Sequence, residues 1–474
     1  MKRLLLAFPL PLLMLACSSA DGSYAAESSD GGALEETSGD TRTPAVTPTD
    51  GGTTVVDAAH VDSTPPPPPP PDLEPAKDLS INELALFQGV KVPLEKDGVR
   101  DDAKKVHIVA GREGLLRVYV TPATGFTARE VVAELTLQAD GKAPTILKAT
   151  KTVSGPSDDA TLDSTINITV PSGAIEMGAK YKVRLLTKPG VTAGTVKGAA
   201  FPEGGALEAL DVYDTGDSFK VTLVPVKANG YVPDTSDAQI ERYRKQLQAM
   251  YPVKKIELKV HAVFEYTGIY ARGTGIYGLL DAVTALRKKD GAPSDVYYYG
   301  IFAPTSSYST YCIGSCTTGL CHLPGPSDTF LRACVGVGFT GSSSAGTMAH
   351  ELGHAHGIPH SPCGSVAGAD SKYPYSGGKL GSWGYDERTG TLLSPTKNYD
   401  FMSYCGPEWI SDYAYDRITH RMSAVREEPM IYGSLTQSYR FVHVTPEGTI
   451  EWGDEITLDE PMSGEPHDVT YVTT

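Results

Sequence analysis

Two different periodicities of apolar residues divide this chain. Between residues 79 and 216 the apolar positions fall in short alternating or β-branched runs, at 115–120, 131–137, 166–170 and 181–186. Alternation with period two marks strands that bury one face, and Gly, Pro and Asp clusters separate the runs. The region 79–216 is therefore expected to be an antiparallel β-sandwich of immunoglobulin-like size. Between 217 and 430 strands and helices alternate instead. Strands are predicted over 219–225, 255–264, 295–302 and 333–339, and helices over 236–250 and 275–288. Ser343 and Ser344 offer N-caps for a further helix running through Thr347, Met348, Leu352 and Ala355. The fold class expected is α+β, a mixed sheet with its functional helix after the strands, preceded by the β-sandwich. A small β-rich segment, 431–474, with strands over 440–444 and 449–452, closes the chain.

The first 78 residues follow neither period. Met1-Lys2-Arg3 precedes an apolar run from Leu4 to Ala16 that is too short to span a bilayer, the pattern of an export signal. Met14-Leu15-Ala16-Cys17 then resembles a bacterial lipobox, although Leu is more usual where Met14 stands. That reading makes 1–17 a lipoprotein signal with Cys17 as the lipidated residue, and the lipid the sole membrane attachment. Residues 18–78 are rich in Ser, Gly, Thr, Asp and Pro and cannot bury enough apolar surface to offset their ordering entropy. They are expected to be a disordered tether, ending in the stiff polyproline run Pro65–Pro71.

The 474 residues suggest two or three folded units, and 40% hydrophobic residues suffice for their cores. A net charge of -16 argues against a nucleic-acid partner, which needs clustered Lys and Arg. Beyond Cys17 the cysteines are Cys312, Cys316, Cys321, Cys334, Cys363 and Cys405, an even number in one region. In an exported chain they should form disulfides. A structural zinc site on Cys312, Cys316, Cys321 and Cys334 is the alternative that their spacing allows.

The densest chemistry lies in His350-Glu351-Leu352-Gly353-His354-Ala355-His356-Gly357-Ile358-Pro359-His360. His350 and His354 stand at i and i+4, on one face of a helix and within reach of one ion. Glu351 can reach a metal-bound water without being a ligand. Gly357 can end the helix in a left-handed conformation, turning the chain so that His360 returns as a third ligand. Three neutral imidazoles leave the fourth position of Zn2+ open, as a catalytic site requires. His356 should be exposed and should not ligate.

Together with Asp400-Phe401-Met402-Ser403-Tyr404, this segment resembles the metzincin clan of zinc endopeptidases, whose signature is H-E-x-x-H-x-x-G-x-x-H followed by a Met-turn. The resemblance covers residues 217–430. It implies that Met402 floors the three histidines, that Glu351 is the general base and that Tyr404 binds zinc or stabilises the transition state. It also implies that residues 335–339 form the sheet's edge strand, where an extended substrate pairs, and that 411–425 form the helix after the Met-turn. Cys363 follows the third ligand and Cys405 the Met-turn, so these two are expected to be bonded, fixing the loop 361–398 that would wall the S1′ pocket. Phe87-Gln88-Gly89-Val90 and Ala110-Gly111-Arg112 are reminiscent of large secreted metzincins that cleave mucin-type glycoproteins. The function implied is a monomeric, surface-anchored or secreted endopeptidase acting on extracellular proteins or glycoproteins. The rivals are an adhesin or glycan-binding lipoprotein with a vestigial zinc site, and an amidase of cell-wall peptides.

Overall fold

A computed structural model of the chain describes residues 6–7, 17–18, 72–102, 106–427, 437–444, 450–458 and 466–467. Most of the expected signal and tether therefore lies outside the described residues, as does the side chain of Cys17. The described residues from Leu73 onward fall in a single compact unit.

Within 73–216 the alternating runs pair into two antiparallel sheets. One has the order Thr145–Val153, Arg129–Gln138, Lys180–Thr187, Ala200–Phe201. The other runs Ile166–Val170, Gly114–Pro122, Leu79–Phe87, Lys91–Lys96, Val99–Arg100. Leu86, Leu116 and Val118 from the second sheet share one apolar core with Val131, Leu135, Tyr181 and Val183 from the first. Alternate residues point inward because side chains on a strand have period two.

Beyond Phe219 the sheet is mainly parallel, in the order Ile256–Val260, Phe219–Lys227, Val296–Phe302, Ala333–Val337, Thr317–Cys321. The dipeptide Cys17–Ser18 pairs antiparallel beyond the last of these. Residues 335–339 are thus not at the edge, contrary to expectation. Ala333–Val337 is an interior strand, and Thr317–Cys321, hidden in sequence by its Thr, Gly and Cys content, lies outside it and antiparallel. The disulfide Cys321–Cys334 joins the two, and a second links Cys312 to Cys316. These four cysteines therefore bind each other and not zinc.

Helices Asp237–Met250 and Ile276–Lys289 occupy the expected spans, the first capped by Ser236. The helix Ser342–Ala355 begins earlier than its expected caps: Gly341 holds the cap position, and Ser343 and Ser344 lie in the first turn. The Ser344 hydroxyl donates instead to Phe339 O, 2.6 Å away. The last helix spans Asp412–Glu427, and strands Gln437–Val444 and Ile450–Leu458 form a hairpin. Among the described residues no helix is long and apolar enough to cross a membrane.

One buried relay joins the two sheet regions. Gln88 holds the turn before Arg112, donating to Val109 O and Arg112 O at 3.1 and 3.0 Å. The Arg112 guanidinium, 1% exposed, donates to Tyr251 O and to Ala249 O, the carbonyls ending the helix Asp237–Met250. Gly89, with φ +88°, lies so close that a Cβ would sit 2.8 Å from Ala249 O. The Tyr251 hydroxyl in turn donates to Ala349 O in the helix Ser342–Ala355, at 2.6 Å. Replacing Arg112 by Ala would take this donor from Ala249 O and leave Tyr251 O with Val253 N, 2.8 Å away. This is expected to cost roughly 1–3 kcal/mol, read as a lower urea midpoint for Arg112→Ala than for the parent chain.

Candidate metal centre

The helix Ser342–Ala355 carries His350 and His354 one turn apart on the same face. Gly357 ends it with φ +77°, its N–H donating to His354 O at 2.7 Å. The reversed chain brings His360 back to the same point. His350 Nε2 and His360 Nε2 each lie 3.2 Å from His354 Nε2. Ligands about 2.0–2.1 Å from a tetrahedral ion stand about 3.3 Å apart.

Every Nδ1 in this cluster faces a backbone carbonyl: His350 to Phe401 O at 2.7 Å, His354 to Ile358 O at 2.7 Å and His360 to Ala367 O at 2.8 Å. A carbonyl only accepts, so each Nδ1 carries the proton and each neutral ring turns a lone pair inward. Burial, with the neighbouring imidazoles, holds His350 down to about 3 and His354 well below its ordinary value. Burial likewise lowers His360 to about 4. Three neutral donors aimed at one point repel each other unless a cation lies between them. The donor set therefore fits a metal ion, and the group offers no other arrangement of partners that would explain it.

The segment after Tyr399 packs against the histidine helix. Met402 is fully buried beneath Gly353, where a Cβ would meet Met402 Sδ and lie 3.1 Å from the Phe401 ring. Asp400, which sequence reasoning passed over, ties the parts together. Its Oδ1 accepts from Ser361 Oγ at 2.6 Å and Met402 N at 2.9 Å, and its Oδ2 accepts from Ser411 N at 3.0 Å. An Asp two residues before a turn residue is the sequence signal that could have marked it. The Tyr404 ring centroid lies 4.8 Å from that of His360 and 6.1 Å from that of His350. Cys363 and Cys405 are bonded, so the chain after His360 is fastened to the chain after Tyr404. Arg417 donates to Asp370 Oδ2 at 2.6 Å and to Gly357 O at 3.1 Å, holding the same loop from the last helix.

Glu351 is buried against the strand Thr317–Cys321. A Cβ added at Gly319 would fall on its carboxylate oxygen Oε1 and 2.6 Å from its Cδ. His356 departs from expectation, being buried and not exposed. It faces the sheet, stacked on Tyr297 with ring centroids 4.9 Å apart and edge-on to Phe219 at 5.0 Å. Its Nδ1 bonds Leu352 O at 2.7 Å, and burial lowers its pKa to about 3. An apolar cage accepts an imidazole when that ring stays neutral and keeps one hydrogen bond.

Residues 332–446 match the family model of Peptidase M66. The match spans the helix, the third histidine and the segment after Tyr399, and it supports a metallopeptidase with a bound metal ion. A stretch of 72 residues is 42% identical to a dictomallein-like protein of Hahella chejuensis, covering 14% of this chain and 11% of that protein. The chain thus spans only a small part of that relative's length. Metalloproteinase-II of Bacteroides fragilis aligns over 67% of this chain and 85% of its own at 13% identity, with a TM-score of 0.24, too low to bear on the fold. The three disulfides suit an oxidising, extracytoplasmic compartment.

Gly353→Ala is expected to push Met402 and Phe401 off the helix and tilt His350 through its bond to Phe401 O. Metal affinity should fall about 10–100-fold, measured by competition with a chromogenic chelator, while far-ultraviolet circular dichroism stays near that of the parent.

Proposed function

We propose that the chain is a zinc-dependent endopeptidase of the metzincin type, exported and held at the cell surface through Cys17, that cleaves extracellular proteins or glycoproteins. The observation that carries this reading is the convergence of three lone pairs from His350, His354 and His360, with Glu351 the next residue of the helix after His350. Residues 79–216 would be its immunoglobulin-like accessory region and 217–430 its catalytic region.

Bound zinc supplies a Lewis acid that acidifies water and polarises a peptide carbonyl. Glu351 accepts the proton of the attacking water and returns it to the leaving amine. Gly319 leaves the space in which that carboxylate lies, so the strand Thr317–Cys321 would help to position the base. Tyr404, whose ring lies 4.8 Å from that of His360, would donate to the oxyanion. An extended substrate would add beside Thr317–Cys321, the position at which Cys17–Ser18 pairs. The loop 361–398, fastened by Cys363–Cys405, would then wall the pocket beyond the scissile bond.

Two variants separate base from metal. Glu351→Ala is expected to keep its zinc and lose about 10²–10⁴-fold in turnover, assayed on denatured proteins and glycoproteins. Gly319→Ala should also keep zinc and lose up to about 100-fold in turnover, because its Cβ displaces the carboxylate. Undiminished cleavage by Glu351→Ala would refute the mechanism. Glycoprotein binding by a parent chain that cleaves nothing would favour the adhesin.

A further inference from the structure

A second convergence of metal-ligating side chains stands where the β-sheet region meets the last helix. His107 Nε2 and His420 Nε2 both face Asp416 Oδ1, at 3.8 and 3.5 Å. Ligand atoms of the three residues lie within 4.8 Å of one another. The backbone explains the meeting. Ile108–Val109 pairs in parallel with Val212–Tyr213, which sets His107 and Asp211 side by side at the head of the ladder. Asp416 and His420 lie one turn apart on the helix Asp412–Glu427, facing that ladder.

The other nitrogen of each ring also has a polar group nearby. His107 Nδ1 lies 3.4 Å from Asp211 Oδ2, and His420 Nδ1 lies 3.5 Å from the Tyr213 hydroxyl. The Tyr213 ring stacks on His107 at 4.5 Å and meets His420 edge-on at 5.4 Å, fixing both imidazole planes. A carboxylate this close to His107 favours a proton on Nδ1, which would leave Nε2 free to ligate. The two imidazoles stand 3.8 and 3.5 Å from the carboxylate oxygen, against a tetrahedral spacing of about 3.3 Å, and with all three ligand atoms within 4.8 Å of one another a bound ion would draw them together. The side chains of His107, Asp416 and His420 are 23, 28 and 51% exposed, open enough for an ion to enter and keep a water.

We propose that His107, Asp416 and His420 form a second metal site, distinct from the His350 cluster. Two imidazoles and one carboxylate suit a divalent transition cation such as Zn2+, Ni2+ or Cu2+ more than Mg2+ or Ca2+. Because its ligands come from the strand ladder and from the last helix, the bound ion cross-links the two parts of the fold. Binding to the folded chain alone then stabilises it by mass action.

The test is the zinc content of the full chain, stripped with chelator, dialysed against micromolar Zn2+ and read by atomic absorption. The parent should hold about two ions per chain, and Asp416→Asn and His420→Ala about one each. His354→Ala should also hold about one, and should lose it on adding His420→Ala. A parent holding one ion that His420→Ala retains overturns the proposal, as does a second ion that both single variants keep. A parent holding one ion that His420→Ala loses would preserve this site and refute the His350 cluster instead. Circular dichroism checks folding, and Tyr213→Phe, which spares all three ligands, should weaken the second ion's binding without abolishing it.

Discussion

Three imidazole lone pairs meeting at one buried point is the constraint on which the rest of this structure depends. Helical spacing supplies two of them, but the third requires a sharp reversal within six residues. Gly357 provides it through a positive φ, a conformation that costs a residue with a Cβ but not glycine. Each ring must also be held in one tautomer, and three carbonyls do this from three separate segments: Phe401, Ile358 and Ala367. The segments stay in place because Asp400 bonds the residues following both His360 and Phe401. The disulfide Cys363–Cys405 and the Arg417 clamp restrain the same loop from two further sides.

How much of this was legible depended on whether the signal was local. Helix Asp237–Met250, with Ser236 as its cap, and strand Ile166–Val170 could be read because their periods and caps lie within them. The histidine segment was legible for the same reason. The strand Thr317–Cys321 was not: it has little apolar alternation, and its place is set by pairing with a strand that follows it in sequence. His356 was misread because the environment of a helix position depends on what lies opposite. Here that is Phe219 and Tyr297, more than fifty residues away in sequence. For Asp400 the local signal marks only its turn bond to Met402 N; its other donors, Ser361 and Ser411, are brought to it by the fold.

The β-sheet region is more than a spacer before the histidine helix. One apolar cluster runs without interruption from Leu84, Val118 and Val183 through Tyr251 to Met348, Leu352 and Met402. Polar contacts cross at the same level. Trp409, nine residues after Asp400, donates from its indole nitrogen to Gly89 O at 2.8 Å, and Tyr385 N donates to the same carbonyl at 3.0 Å. Gly89 thus receives two donors from the metal-site region, while its own lack of a side chain admits Ala249 O. A shift of the turn 88–90 would move Trp409, whose N–H leaves no second acceptor to compensate. Since Phe401 N bonds Trp409 O at 2.8 Å, that movement would travel to the carbonyl orienting His350. The geometry of the metal centre is therefore set partly by a turn some 260 residues earlier in the chain, in the region that carries none of its ligands.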